Sequence, residues 1–202
     1  MLVKMGRPKE HDERTAEALL DAAERTVERD GVAGLSLRSV ARDAGTTTRA
    51  VFSLFGSKDG LVTALGARAF ELLRQGLDGL PPTTDPQRDL VDAALMFRRF
   101  ARDHPVLFSI GIQRTLGGPE HWSGFLPVAM GTLEVLESRF ERLDDAGLLA
   151  GRTTREAAFE FHALCEGLTT CELRGLPPSV DAERLWRDGI SALVAGLATA
   201  AV

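Results

Sequence analysis

From Ser36 to Lys58 the chain reads SLRSVARDAGTTTRAVFSLFGSK, a stretch dense in hydroxyls and cations. Arg49 offers paired N–H donors that match O6 and N7 of guanine, a contact that discriminates between bases by about 1–3 kcal/mol. Thr47, Thr48 and Ser53 supply hydroxyls suited to phosphate oxygens and base edges. Ser36 and Arg38 stand just upstream. Lys58 opens a further helical pattern, where its ammonium would meet the phosphate backbone. A second group, His162, Cys165 and Glu166, falls within about one helical turn and has the residue types of a metal or nucleophile site. Its spacing is poor: His162 to Cys165 is one short step, and Glu166 lies about a quarter turn further round. No second His, Cys or Asp set with ligand spacing lies nearby. Phosphate loops, dinucleotide fingerprints and nucleophile elbows are also missing from the sequence. The chemistry favoured by the residue types is recognition of a nucleic acid.

The first group needs two short helices to hold it. Ser36 can act as N-cap of one, with Leu37, Val40, Ala41 and Ala44 on a single face. Gly45 supplies the backbone freedom for a sharp reversal. Thr46 or Thr47 can cap the second helix. Ala50, Val51 and Leu54 then turn inward and leave Thr48, Arg49 and Ser53 outside. This is the pattern of a helix-turn-helix, whose second helix enters the major groove. Upstream, residues 14–31 form an amphipathic helical pattern with Leu19, Leu20, Ala23 and Val27 inward and Gly31 as its stop. Downstream, Ser57 can cap the next helix, and Asp59 sits favourably in that helix's first turn.

The run RTAEALLDAAERTVERDGVAGLSLRSVARDAGTTTRAVFSLFGSKDGLV resembles the DNA-binding domain of the TetR/AcrR family of bacterial one-component regulators. The resemblance covers about the first third of the chain. It implies an all-α protein of about nine helices. Residues 11–58 would form a three-helix helix-turn-helix domain, 59–80 a connecting helix, and 86–202 a larger helical domain for effector binding and dimerisation. The family usually carries Tyr where this chain has Phe52, and that hydroxyl commonly reaches a phosphate. Phe52 keeps the ring and loses the hydrogen bond, a difference of about 1 kcal/mol per subunit. Leu54 likewise replaces a position where His or another aromatic is common.

Whole-chain properties agree. The 202 residues allow one or two domains, and a hydrophobic fraction of 44% argues against bulk disorder. No apolar run is long enough to cross a bilayer and no secretory signal pattern begins the chain, so a cytoplasmic protein is expected. The net charge is −5, yet all three lysines (Lys4, Lys9, Lys58) lie in the first 60 residues, a segment with ten basic and ten acidic side chains. A locally basic face on an acidic body is therefore expected, with Glu17, Asp21, Glu24 and Glu28 turned away from DNA. Residues 1–10 read as a flexible arm whose Lys4, Arg7 and Lys9 could follow phosphates or enter the minor groove. Cys165 and Cys171 fall six residues apart in one helical pattern, too far for a disulfide, and read as buried thiols.

Beyond residue 58 only helical periods occur. Residues 59–80 form one, stopped by Pro81, Pro82 and Pro86, the clearest organisational boundary in the sequence. Residues 89–103 follow, with Leu90, Ala94, Phe97 and Ala101 in line and Met96 and Phe100 beside them. A short apolar piece spans 106–114. A loop after Gly117-Gly118-Pro119 should carry His121 and Trp122. Longer helices are predicted over about 126–145, 156–174 and 181–200. The last has one stripe of Trp186, Ile190, Leu193 and Leu197, a second of Ala182, Gly189, Ala192 and Gly196, and no charge from Ala192 on. A chain-terminal helix apolar all round calls for a partner, so Trp186, Gly189, Ile190, Leu193, Gly196 and Leu197 are expected at a two-fold interface, the rival reading being a helix buried within its own domain. The stretch HALCEGLTTCELRG is similar in part to the C-terminal domain of one TetR subgroup, through His162 and Glu166-Gly167.

Taken together, the expectation is a homodimeric DNA-binding repressor that uses Ser36, Arg38, Thr47, Thr48, Arg49, Phe52, Ser53 and Lys58 on a pseudo-palindromic operator. The resemblance further implies a small-molecule effector, for which Met96, Phe97, Phe100, Phe108, Trp122, Phe125, Met130 and His162 are candidate pocket residues. Neither a metal nor a cofactor is expected. The competing classes, a helical metal-dependent enzyme and a helical protein-interaction module, have less behind them.

Overall fold

The computed structural model describes residues 9–115 and 119–199, with side chains over 12–115 and 122–199. Among the described residues the fold is all-α: nine helices, no strands, and a single π-helical turn. The order is α1 (Lys9–Gly34), α2 (Leu37–Asp43), α3 (Thr48–Phe55), α4 (Lys58–Asp78), α5 (Pro86–Asp103), α6 (Pro105–Leu107) with its π continuation (Phe108–Ile112), α7 (Pro119–Asp145), α8 (Thr154–Arg174) and α9 (Ala182–Leu197). Of the basic arm, Lys4 and Arg7 lie outside the described residues, and helix already begins at Lys9.

The chain divides into two compact units. One takes the chain up to Ala69 together with Ser109–Phe125; the other takes Phe70–Phe108 and the chain from Leu126 onward. The division therefore falls inside α4. The proline run ends that helix, as its missing N–H groups require, but it does not separate the units.

In the first unit Leu19, Leu20, Ala23 and Val27 of α1, Val40 and Ala41 of α2, Val51 of α3 and Leu61, Val62 and Leu65 of α4 are buried together. Gly31 interrupts α1 with φ 70°, so the predicted stop is a break inside a slightly longer helix. Gly45 takes φ 65° between α2 and α3, and the Thr46 amide closes the turn on the Ala41 carbonyl at 2.8 Å. A side chain at Gly45 would be strained in that left-handed backbone, which is why the reversal needs glycine. Where α7 meets α4, a Cβ at Gly66 would run into the Phe125 ring, so glycine is what permits the close approach. Arg68 of α4 reaches back to Asp21 (2.6 Å) and Glu17 (3.7 Å) of α1. Two of the acidic residues of α1 are thus neutralised from α4.

In the second unit α5 packs on α8 and α9, and α8 on α9. Local caps begin these helices, α5 three and α8 two residues ahead of the periods read from the sequence. Asp85 accepts from the Arg88 amide at 3.0 Å, Asp181 from the Arg184 amide at 3.1 Å, and Thr153 and Glu156 close a reciprocal capping box. Two long-range networks then fix the packing. Arg139 of α7 donates to the carbonyls of Leu77 and, at 2.8 Å, Leu80, satisfying the C-terminal end of α4. One turn on, Arg142 donates to Asp89 and to the Thr83 carbonyl. Burial alone would raise the Asp89 carboxyl, but the bonds from Thr83 and Arg142 together hold it below its ordinary value. In the second network Arg98 of α5 grips Glu172 of α8 through two bonds of 2.8 Å, and Trp186 of α9 donates to the same carboxylate at 2.9 Å.

Four expectations change here. Helix α7 starts at Pro119, so Trp122 is helical and not in a loop; Pro127 is accommodated inside the helix, where it forgoes one backbone hydrogen bond. Cys165 is buried and its thiol is pushed up by that burial, whereas Cys171 is exposed. On α9, Trp186, Ile190 and Leu197 are fully or almost fully buried in their own protomer against α5 and α8, so they cannot face a partner. Finally, the expected pocket set divides between the units: Trp122 and Phe125 belong to the first, the other six to the second.

Candidate nucleic-acid interface

Helix α3 is only eight residues long, and its orientation is set by one buried residue, Val51, seated among α1 and α2. With Val51 inward, the opposite face carries Arg49, Phe52 and Ser53, all exposed, and Thr48 is half-buried at the edge. Thr47 rather than Thr46 is the cap: its hydroxyl oxygen accepts from the Ala50 amide at 3.2 Å. The hydroxyl proton of Thr47 remains available to an acceptor such as a phosphate oxygen. Ser36 has the extended backbone of an N-cap without the side-chain bond, so its exposed hydroxyl is not engaged in capping α2.

The cations around this face differ in their commitments. Arg38 and Arg49 are exposed and in no ion pair among the described residues. Arg42, one turn beyond Arg38, is held by Asp43 (3.2 Å) and Ser39 (3.1 Å). Lys58 donates to the Ala33 carbonyl at 3.2 Å, which ties the start of α4 to the end of α1 and leaves two ammonium protons for an outside acceptor. Ser57 caps α4 by accepting from the Gly60 amide at 2.9 Å. The predicted set of eight, Ser36, Arg38, Thr47, Thr48, Arg49, Phe52, Ser53 and Lys58, thus lies in the helix-turn-helix and at the α4 start, and all but Thr48 and Lys58 are exposed.

In the second unit, Phe97 makes edge-on contacts with Phe100 (6.4 Å between ring centroids), Phe108 (6.2 Å) and His162 (6.0 Å). Met96 and these phenylalanines are buried, while Met130 and His162 are half-buried. His162 also lies 3.7 Å from Glu166, one turn along α8, while buried Cys165 faces the core; the three do not converge on a common point. Among the described residues no group of three His, Cys, Asp or Glu side chains is arranged to hold a metal ion. A cleft of about 370 Å³ that the sequence did not signal opens between α5 and α9, lined by Asp85, Arg88, Asp92 and Arg187 over an apolar floor of Val91 and Val194. No helix among the described residues is long and apolar enough to cross a membrane.

Apolar and small residues are left open on α8 and α9. Phe159 is 53% exposed and Leu173 44%, and Ala163, Gly167 and Cys171 continue the line of Phe159 at steps of four along α8. On α9, Ala192 and Gly196 are exposed and Gly189 and Leu193 half-exposed. A side chain built at Gly167 or Gly196 would meet nothing within 4 Å.

Comparison with known proteins matches these geometries. Residues 19–65 fit the pattern of bacterial regulatory proteins, tetR family. Over 72 residues, 36% of this chain and 36% of the relative, the sequence is 40% identical to the HTH-type nicotine-responsive transcriptional repressor HdnoR of Paenarthrobacter nicotinovorans. The match thus spans about a third of that repressor's length. A Rhodococcus sp. RHA1 protein of unknown function superposes with a TM-score of 0.79 at 22% identity, covering 98% of this chain and all of that one. The transcriptional regulator FadR of Bacillus subtilis, solved in complex with stearoyl-CoA, superposes with a TM-score of 0.73 at 16% identity over 89% and 98% of the two chains. At such identities these two structures establish a shared fold.

Proposed function

We propose that this chain, whose residues 19–65 fit the tetR family pattern, is a homodimeric, effector-responsive transcriptional repressor of the TetR/AcrR family acting in the cytoplasm. The observation that carries the reading is the exposed face of α3. Arg49, unpaired, stands there beside Phe52 and Ser53 on a short helix oriented by buried Val51. Arg49 reads a base edge; Ser36, Thr47 and Lys58 hold phosphates; Arg38 supplies charge at the start of α2. Two copies of such a helix read the half-sites of a pseudo-palindromic operator.

Dimerisation uses the open α8–α9 surface. It is apolar and rich in small residues, which lets two copies of each helix approach closely about a two-fold axis. Gly189, Leu193 and Gly196 of the expected α9 set lie on this side, joined by Phe159 and Gly167 of α8. The effector is an organic small molecule held in the second unit near Phe97, Phe100, Phe108 and His162, with Met96 and Met130 at the edge. A hundredfold preference of that molecule for the DNA-incompetent state shifts the equilibrium by about 2.7 kcal/mol. The protein is not an enzyme in this reading.

The test is selection from a random-sequence duplex library, followed by titration across ionic strength. A symmetric enriched sequence, with affinity falling steeply as salt rises, is expected. Failure to enrich any sequence over random DNA at moderate salt sinks the proposal.

A further inference from the structure

Phe52 is 54% exposed, on a helix whose apolar side is already satisfied by Val51. Its neighbours on the outer face are Arg49, three residues before it, and Ser53. The ring has no polar atom, so it cannot anchor to a phosphate, and the protomer leaves half of it in water. In the major groove the apolar group that a base pair presents is the C5-methyl of thymine. We infer that Phe52 reads a thymine methyl in each half-site, which rests on the DNA-binding reading above and adds a specificity determinant to it. Three residues of helix advance about 4.5 Å, against about 3.4 Å per base pair along one strand. The thymine therefore lies one or two base pairs from the guanine met by Arg49.

The chemistry separates this role from packing on the sugar–phosphate backbone. A ring lying on deoxyribose is indifferent to the base above it, whereas a ring on the methyl group is not. The experiment takes the best duplex from the library selection and replaces each thymine in turn by deoxyuridine, which deletes the methyl and leaves every hydrogen bond intact. Full-length wild-type protein and Phe52→Ala are titrated against the series. Loss of one methyl-sized contact corresponds to about a fourfold weaker binding per half-site. Wild type should show that loss at one thymine per half-site, at the predicted distance from the guanine protected by Arg49. Phe52→Ala should bind the parent duplex more weakly and lose its sensitivity to that same replacement. Wild-type affinity unchanged at every thymine, or equal sensitivity in Phe52→Ala, overturns the inference while leaving the DNA-binding reading in place. If no duplex is enriched at all, that reading fails and the inference goes with it.

Discussion

Removing the Glu172 carboxylate should be among the most damaging single changes in the second unit. The Glu172 side chain is 15% exposed, and its carboxylate takes two bonds of 2.8 Å from Arg98 and one of 2.9 Å from the Trp186 indole. In Glu172→Ala the Arg98 guanidinium, itself 14% exposed, is left without its counter-ion, and the indole N–H of fully buried Trp186 loses its acceptor. Breaking a buried pair from one side costs about 3–5 kcal/mol. An orphaned buried donor alone costs about 1–3 kcal/mol, a loss that overlaps with the first. Arg98 lies close enough to the surface to recover some hydration, so about 3 kcal/mol is expected for Glu172→Ala. Glu172→Gln keeps an acceptor for Trp186 and should cost about half as much. The assay is urea unfolding followed by tryptophan fluorescence at fixed protein concentration, since the proposed self-association would link stability to concentration. Because α5, α8 and α9 meet at this carboxylate, the variant should also weaken self-association. A Glu172→Ala protein within about 0.5 kcal/mol of wild type would show that solvent already screens the network and would refute the reasoning.

Other expectations follow from the same structure. Arg49→Ala should flatten base preference at one position per half-site, whereas Lys58→Ala should weaken binding to all sequences alike and reduce the salt slope by about one per subunit; titrations against single-base operator variants separate the two. Gly167→Glu and Gly196→Glu place a charge where the protomer has open space, and replacing a helical glycine by glutamate is intrinsically favourable. Each should therefore give a folded monomer by sedimentation; an intact dimer would locate the interface elsewhere. Glu172, held below its ordinary pKa chiefly by the Arg98 hydrogen bond, and Asp89, held down by Thr83 and Arg142 against its own burial, both contribute stability above the unfolded carboxyl pKa of about 4. That contribution is lost as pH falls through the lower folded values, so the unfolding midpoint should drop below about pH 4, and drop less in Glu172→Gln. Buried Cys165, whose thiol is pushed up by desolvation, should resist alkylation until the chain unfolds, as thiol counting in native and denatured protein will reveal.

What the sequence determined by itself is what local spacing controls. Thr47 and Ser57 cap within three residues of themselves, so a hydroxyl ahead of a helical period located the starts of α3 and α4, whereas Asp85 and Thr153 begin α5 and α8 three and two residues ahead of the periods read from apolar spacing. The outward set on α3 followed in the same way, because one buried valine dictates which residues are left outside. The helix start at Pro119 escaped because Gly124 and Pro127 locally argue against helix, and only packing of Gly124 and Phe125 on Thr63 and Gly66 in the first unit overrides that. Tertiary structure alone decided which side of α9 turns inward. Both of its stripes are apolar, and periodicity says how far apart like residues stand but not which stripe meets α5. The Arg98–Glu172–Trp186 network and the Arg139 and Arg142 clamp join residues separated by 14 to 74 positions. Pairings of that kind exist only once the helices are stacked, since a single charged residue in a helical pattern carries no address for its partner.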